Sequence, residues 1–347
     1  MRRIRSADGH LGWLASTHRA ARTVLSDRRL SNRQELKHPL TEPIRPNSPK
    51  EPAAPGWFTH MDPPEHTRYR RLLAGAFGAR RMRLLEPRVE AIAQELLAAM
   101  AGHGPPLDLV AAYALPLPSR VICELLGVPY EDHDFFEEQT RRIVRGERAG
   151  MTELVAYLGK LVRHKEPGED VLSDLRHLTE EEVTNIALLL LVAGHETTAN
   201  MIALGVHELL TRPGLDPRAP ETVEELLRHL TILRVGAPNR AALEDLELDG
   251  ERVAAGETVT VDLMAANHDP AVFAHPHELR PDRPEVREHL AFGYGMHLCL
   301  GHNLARMELR VAYRALFDAF PALRLAGEAR MRENTVVAGM EVLTVGW

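Results

Sequence analysis

One of the chain's two cysteines, Cys299, sits inside the glycine-rich stretch FGYGMHLCLG, residues 292 to 301. It stands just before a segment whose apolar residues recur at helical spacing. A thiol at the mouth of a helix lies near unpaired backbone N–H groups and the positive end of the helix dipole, and both favour thiolate. Gly293, Gly295 and Gly301 let the backbone bend tightly and approach something large and flat. Four chemistries compete for such a cysteine: an inert buried side chain, a nucleophile, a zinc ligand with His297 or His302, and an axial ligand to haem iron. Zinc has little support, because structural sites want several Cys or His in paired spacings and Cys123 lies far away in RVICELLG. A nucleophile wants a base oriented by a third group, and His297 alone stands near.

Three further groups could do chemistry. In AGHETT, residues 193 to 198, Glu196 and Thr197 fall within an apolar helical run. Taken alone, such a threonine bonds back to an upstream carbonyl. A carboxylate amid apolar residues is costly without a role, and a carboxylate beside a hydroxyl can relay protons. Glu225 and Arg228 are three apart on one helical face, a pairing worth about 0.2–0.5 kcal/mol in an isolated helix. His66 and Arg70, four apart in EHTRYR, share a face and could both reach an anion.

The elements that must position these groups are mostly helices. The first thirty residues read as a short strand and a helix over Ser16–Ser26, followed by a loop carrying Pro39, Pro43, Pro46, Pro49, Pro52 and Pro55. Asp62 suits an N-cap, Pro63 the first helical position and Glu65 the third. The capping box Thr179–Glu182 opens a helix that runs to Pro213, roughly 45–50 Å long. It is apolar on every side and is expected to be central and buried. A short helix follows over Glu221–Leu230, then strands in LEDLELDGERV, with an Asp249-Gly250 turn, and in ETVTVDL. The last helix begins just after Cys299, with Ala305, Leu309, Ala312, Leu316 and Phe320 on one face. The expected architecture is mainly α with a minor β region, one domain over residues 1–347.

Composition narrows the function classes. With 347 residues, 44% of them hydrophobic, the chain can bury a large core. A net charge of -7 gives no global footprint for nucleic acid. Two cysteines fit a reducing interior, and the run Ile186–Gly194 is too short to span a bilayer. The amino terminus opens no apolar leader core, so a cytoplasmic protein without a membrane partner is expected. The GxG of the loop is no dinucleotide fingerprint, since no strand of a βαβ unit precedes it.

FGYGMHLCLG resembles the haem-binding loop of the cytochrome P450 family at each defining position: Phe292, Gly293, Gly295, His297, Cys299 and Gly301. AGHETT, Glu225-Leu-Leu-Arg228 and EHTRYR are similar to further family motifs in the family order, and the likeness runs from LSDRRLSN to the C-terminus. The resemblance implies the P450 fold, a long central helix over haem b and the cysteine loop beneath it. It implies Cys299 as the axial iron ligand, Ala193 beside the macrocycle, and Glu196 with Thr197 managing protons. His66, Arg70, Arg240 and His297 would hold the two propionates, while Glu225, Arg228 and Arg283 brace the fold beneath the loop. The implied reaction inserts one oxygen atom from O2 into an organic small-molecule or peptide substrate, by hydroxylation or epoxidation. No flavin or nicotinamide domain fits this length, so ferredoxin and ferredoxin reductase are the expected electron donors, with Arg68, Arg71, Arg306 and Arg310 as a basic docking face. Position alone makes Trp57, Phe58, Val192, His195, Val235, Ala237 and Met340 candidates for the substrate pocket.

The chain departs from the family in length. It is short at the N-terminus, in the roof between Phe135 and Asp170, and in the connection HELLTRPGLDPRAPETVEELLR. A shorter roof suggests an open site and a bulky substrate, such as a macrocyclic peptide or polyketide natural product. Peroxide-driven oxidation, oxidative cross-linking and a non-catalytic haem sensor are the alternatives, and the sensor would have no use for Glu196 and Thr197.

Overall fold

The computed structural model describes residues 1–40, 51–144, 147–233, 236, 238–333 and 336–347. Strands β1 (Arg2–Arg5) and β2 (Leu11–Ala15) form an antiparallel hairpin. Helix α1 (His18–Ser26) follows, capped by Thr17, whose Oγ1 accepts from the Ala20 N–H, and then β3 (Leu30–Ser31). Next come α2 (Glu65–Leu73), α3 (Ala79–His103), β4 (Leu107–Asp108), a π-helical turn at Val110–Ala114, α4 (Pro116–Leu126), α5 (His133–Val144), α6 (Arg148–His164), α7 (Val171–Asp174) and the 32-residue α8 (Glu180–Thr211). After it lie α9 (Pro220–Leu230), β5 (Asn239–Ala242), β6 (Leu246–Leu248), β7 (Glu251–Val253), β8 (Thr258–Val261), α10 (Leu263–Asn267), α11 (His302–Ala319), β9 (Arg324–Met331) and β10 (Met340–Gly346).

Helix α8 forms where its capping box predicts. Glu182 Oε2 accepts from the Thr179 N–H at 2.9 Å, and Thr179 Oγ1 accepts from the Glu182 N–H at 3.3 Å. Glu182 also takes bonds from Arg68 at 2.6 Å and the Tyr69 hydroxyl at 2.7 Å, which fasten α2 to the start of α8. The helix is long and apolar enough to cross a membrane, yet 72% of its most apolar window is buried inside the fold, as a core helix requires. Toward its C-terminal end Gly205 has no side chain, and that space admits the Tyr313 hydroxyl of α11, which donates to the Met201 carbonyl at 2.7 Å. The contact fixes the helix that follows Cys299 against the helix that carries Thr197.

The expected minor sheet is three small ones. The largest has the order β1-β2-β8-β5-β3, with β2 and β8 parallel and the other pairs antiparallel. A second sheet orders β4-β10-β9, and the β6-β7 hairpin turns at Asp249-Gly250, where both residues have positive φ. One apolar core gathers around α3, α4, α8 and α11, and a smaller one lies between the five-stranded sheet and α1. The start of α2 differs from expectation: Asp62 caps nothing. Its carboxylate turns to Ser31 Oγ at 2.5 Å and the Asn32 N–H at 2.8 Å, so it pins the end of β3, and the helix begins at Glu65.

Candidate active site

The cysteine loop is shaped by two glycines with positive φ, Gly293 at 72° and Gly295 at 73°. A Cβ on Gly295 would lie 2.6 Å from the Leu25 carbonyl, so the loop packs directly on the end of α1. The Cys299 N–H donates back to the Phe292 carbonyl at 2.9 Å, which closes the loop, and Gly301 caps α11. Cys299 opens into a cavity of about 350 Å³ between this loop and α8. Burial pushes its thiol up, while the Gly301 N–H and the cations of Arg70 and Arg306 pull it down.

At one edge of this cavity four of the expected residues come together, His66, Arg70, Arg240 and His297. The His66 and His297 ring centroids are 4.1 Å apart. Asn32 organises the group: its Oδ1 accepts from Arg240 at 2.8 Å and from Lys37 at 3.1 Å, and its Nδ2 faces His297 Nδ1 at 3.4 Å. If Nδ1 accepts there, Nε2 carries the ring proton, and Nε2 is buried without a partner. His66 Nδ1 is likewise buried and unpaired. Burial, with repulsion from neighbouring cations, lowers Lys37 to about 8, His66 to about 4 and His297 to about 2, and burial lowers Arg240 to about 10 against the pull of Asp62. Burying so much like charge with orphaned donors is costly unless an acidic ligand completes it. Neither Lys37 nor Asn32 was legible in the sequence; both come from the loop, and only folding brings them to Arg240.

Across the cavity, α8 presents Ala193, Gly194, Thr197 and Thr198. Thr197 Oγ1 donates to the Ala193 carbonyl at 2.6 Å, the back-bond its place in a helix favours. Glu196 points away from the cavity and pairs with Arg332 at 2.7 Å. Arg332, just beyond β9, has no sequence signal linking it to Glu196.

The pocket candidates divide. Phe58 lines the cavity, and so do Ile122, Leu189, Leu190 and Leu304, which position alone did not suggest. Trp57, Val192, His195 and Met340 do not line it. Trp57 tilts toward His60 beside the single turn at Phe58–His60, and Val192 is exposed on another face of α8. Met340 is buried in the main core at the start of β10. Val235 and Ala237 lie outside the described residues.

His195 faces the opposite way from Thr197, with Nε2 at 3.1 Å from the Leu115 carbonyl and Nδ1 buried without a partner. Burial lowers its pKa from 6.5 to about 4. Between those values the unfolded chain binds the proton that the folded one refuses, so stability is lost as pH falls from 6.5 towards 4, by up to about 3 kcal/mol from this ring. His195→Gln should flatten that part of a denaturation-midpoint profile; an unchanged acid slope would remove His195 as its source.

Glu225, Arg228 and Arg283 form one buried network beneath the loop, with Arg228 bonded to Glu225 Oε1 and Oε2 at 2.8 Å each and Arg283 to Oε2 at 3.0 Å. Of the proposed basic face, Arg68 bonds to Glu182 and Arg306 to Glu224, at 2.7 Å in the latter case. Arg71 is exposed and Arg310 half-buried.

The family pattern described as Cytochrome P450 matches residues 217–335. The chain is 47% identical to Cytochrome P450 105C1 of a Streptomyces species, over 98% of this chain and 90% of that protein. The structure of cytochrome P450 MoxA from Nonomuraea recticatena superposes with a TM-score of 0.92 at 39% identity, covering all of this chain and 92% of that one. The mycinamicin VIII C21 methyl hydroxylase MycCI from Micromonospora griseorubida, bound to mycinamicin VIII, superposes at 0.89 and 36% identity, covering all of this chain and 93% of that one.

Proposed function

The chain belongs to the cytochrome P450 family, and from that premise we infer that it is a haem-thiolate monooxygenase that tailors a natural product. The observation that carries the site assignment is the shared cavity: Cys299 on one wall, Thr197 and Gly194 on the other, and a cationic edge with orphaned donors between them.

Haem b fits these residues. The unpaired His66 Nδ1 and His297 Nε2, with Arg70 and Arg240, would hold two propionates, and Cys299 would give the iron its thiolate ligand. Lys37 joins the same anion site through Asn32. When bound, the haem iron supplies the activation of dioxygen. Phe292 and Gly293 shape the loop beneath, Gly301 leaves open space where a side chain would project, and Ala193 and Gly194 keep the α8 wall low. The apolar side chains of Phe58, Ile122, Leu189 and Leu304 keep bulk water from the reacting groups. Thr197 can exchange its bond to the Ala193 carbonyl for one to a water or ligand in the cavity. Glu196 is the adjoining relay carboxylate, which takes up a proton from solvent and passes it on, and Arg332 is its positioning residue, holding the carboxylate outside the cavity until the pair opens.

The substrate is a bulky apolar compound, part of which enters the cavity. None of the described residues of α5 or α6 lines that cavity, which agrees with an open roof. The relative bound to mycinamicin VIII supports the same class. Electrons come from a ferredoxin and its reductase in the cytoplasm, with Arg71 and Arg310 as the basic residues of the docking face that form no ion pair among the described residues.

Thr197→Ala should retain haem and still consume reducing equivalents, but release most of them as peroxide, with product per electron pair falling by roughly 10-fold or more. Measuring product, peroxide and reductant together checks it. Tight coupling in the variant would remove Thr197 from the proton relay.

A further inference from the structure

Far from the cysteine loop in sequence, the turn between β1 and β2 carries Asp8 and His10, and the segment after β3 brings His38 against them. We propose that Asp8, His10 and His38 bind a single divalent transition-metal ion of the zinc class and clamp the first hairpin to the segment that supplies Lys37 and Asn32.

One donor atom from each of the three residues lies within 4.8 Å of the others. Both histidines turn Nδ1 to the same carboxylate, His10 at 3.2 Å from Oδ1 and His38 at 2.6 Å from Oδ2. Their rings stack at 3.8 Å with 24° between planes, so for both Nδ1 lone pairs to converge on one ion the exposed His10 ring has to turn out of the stack. Ligands at about 2.0–2.1 Å on a tetrahedral ion stand roughly 3.3 Å apart, so an ion would replace the hydrogen bond of His38 Nδ1 to Asp8 and move the two atoms apart from 2.6 Å. Two imidazoles and one carboxylate leave a fourth position for water, and imidazole selects zinc, nickel or copper over magnesium and calcium.

The frame around the cluster is fixed. Ser6 Oγ donates to Asp8 Oδ1 at 2.7 Å, which orients the carboxylate. The Ala7 N–H donates to the Pro39 carbonyl at 3.0 Å, and the His38 N–H to Thr258 Oγ1 at 2.8 Å, so the turn and the His38 segment are already held together. Lys37, next to His38, reaches Asn32 and through it Arg240. A metal here would stiffen a segment that contributes to the anion edge of the cavity, without touching the reacting groups.

The test is calorimetric titration of the chelator-treated, dialysed holoenzyme with zinc chloride, with metal content measured on the saturated protein. The expected result is one saturable zinc per chain beyond the haem iron, a zinc-dependent rise in thermal midpoint, and no comparable response to magnesium. His10→Ala and His38→Ala should each weaken binding by at least what loss of an outer-shell partner costs, roughly 10- to 100-fold. His10 is exposed, so its variant folds even if the His38 variant does not, and an unchanged haem spectrum confirms it. No saturable binding in the parent protein, equal response to magnesium, or undiminished zinc binding in His10→Ala would each overturn the proposal.

Discussion

Arg228→Ala is expected to leave little soluble, folded protein. Arg228 and Glu225 are both fully buried. Beyond the two bonds to the carboxylate, Arg228 donates to the carbonyls of Asn267 and Pro276 at 2.8 Å each and of Glu278 at 3.2 Å. Those carbonyls belong to the segment that leads from α10 toward the cysteine loop, so one side chain ties α9 to the approach of the site. Removing one partner of a buried ion pair costs about 3–5 kcal/mol, because the other charge stays buried and unpaired. Domains are stable by only about 5–15 kcal/mol, and here three carbonyls also lose a donor. Arg228→Lys should not rescue, since a lysine cannot make the forked, planar contact. Soluble yield and urea denaturation measure both variants; an unfolding free energy within about 0.5 kcal/mol of the parent would show the network to be dispensable.

Cys299→Ser should have the opposite character, a folded protein that does not turn over. The bond that closes the loop uses the Cys299 backbone, and the anion edge is untouched, so haem should still be held. The expected loss in turnover is at least about a thousandfold, equivalent to about 4 kcal/mol in barrier. Loss of haem together with loss of fold would instead give Cys299 a structural role, and turnover near the parent rate would place the axial ligand elsewhere.

Much of this site was legible because its residues are local. The loop, AGHETT and Glu225–Arg228 each lie within one element, where spacing fixes which side chains share a face. What failed needed a partner from elsewhere. Asp62 has the composition of a cap, but Ser31 and Asn32 compete for its carboxylate more favourably. His195 and Thr197 are two residues apart, about 200° around a helix, so they could not both face one cavity. Lys37, Asn32 and Arg332 joined the site through contacts across more than a hundred residues in two of the three cases. Strands β9 and β10 were missed for a related reason: β9 reads RLAGEARM, largely exposed and without alternation, and its strand character comes from pairing with β10.

The measurement that bears most directly on the central claim is the carbon monoxide difference spectrum of the dithionite-reduced parent protein. Cys299 as an axial thiolate predicts a strongly red-shifted Soret band, absent in Cys299→Ser. Haem bound with its Soret band at the ordinary position for a neutral ligand would contradict the thiolate assignment, and the monooxygenase site with it.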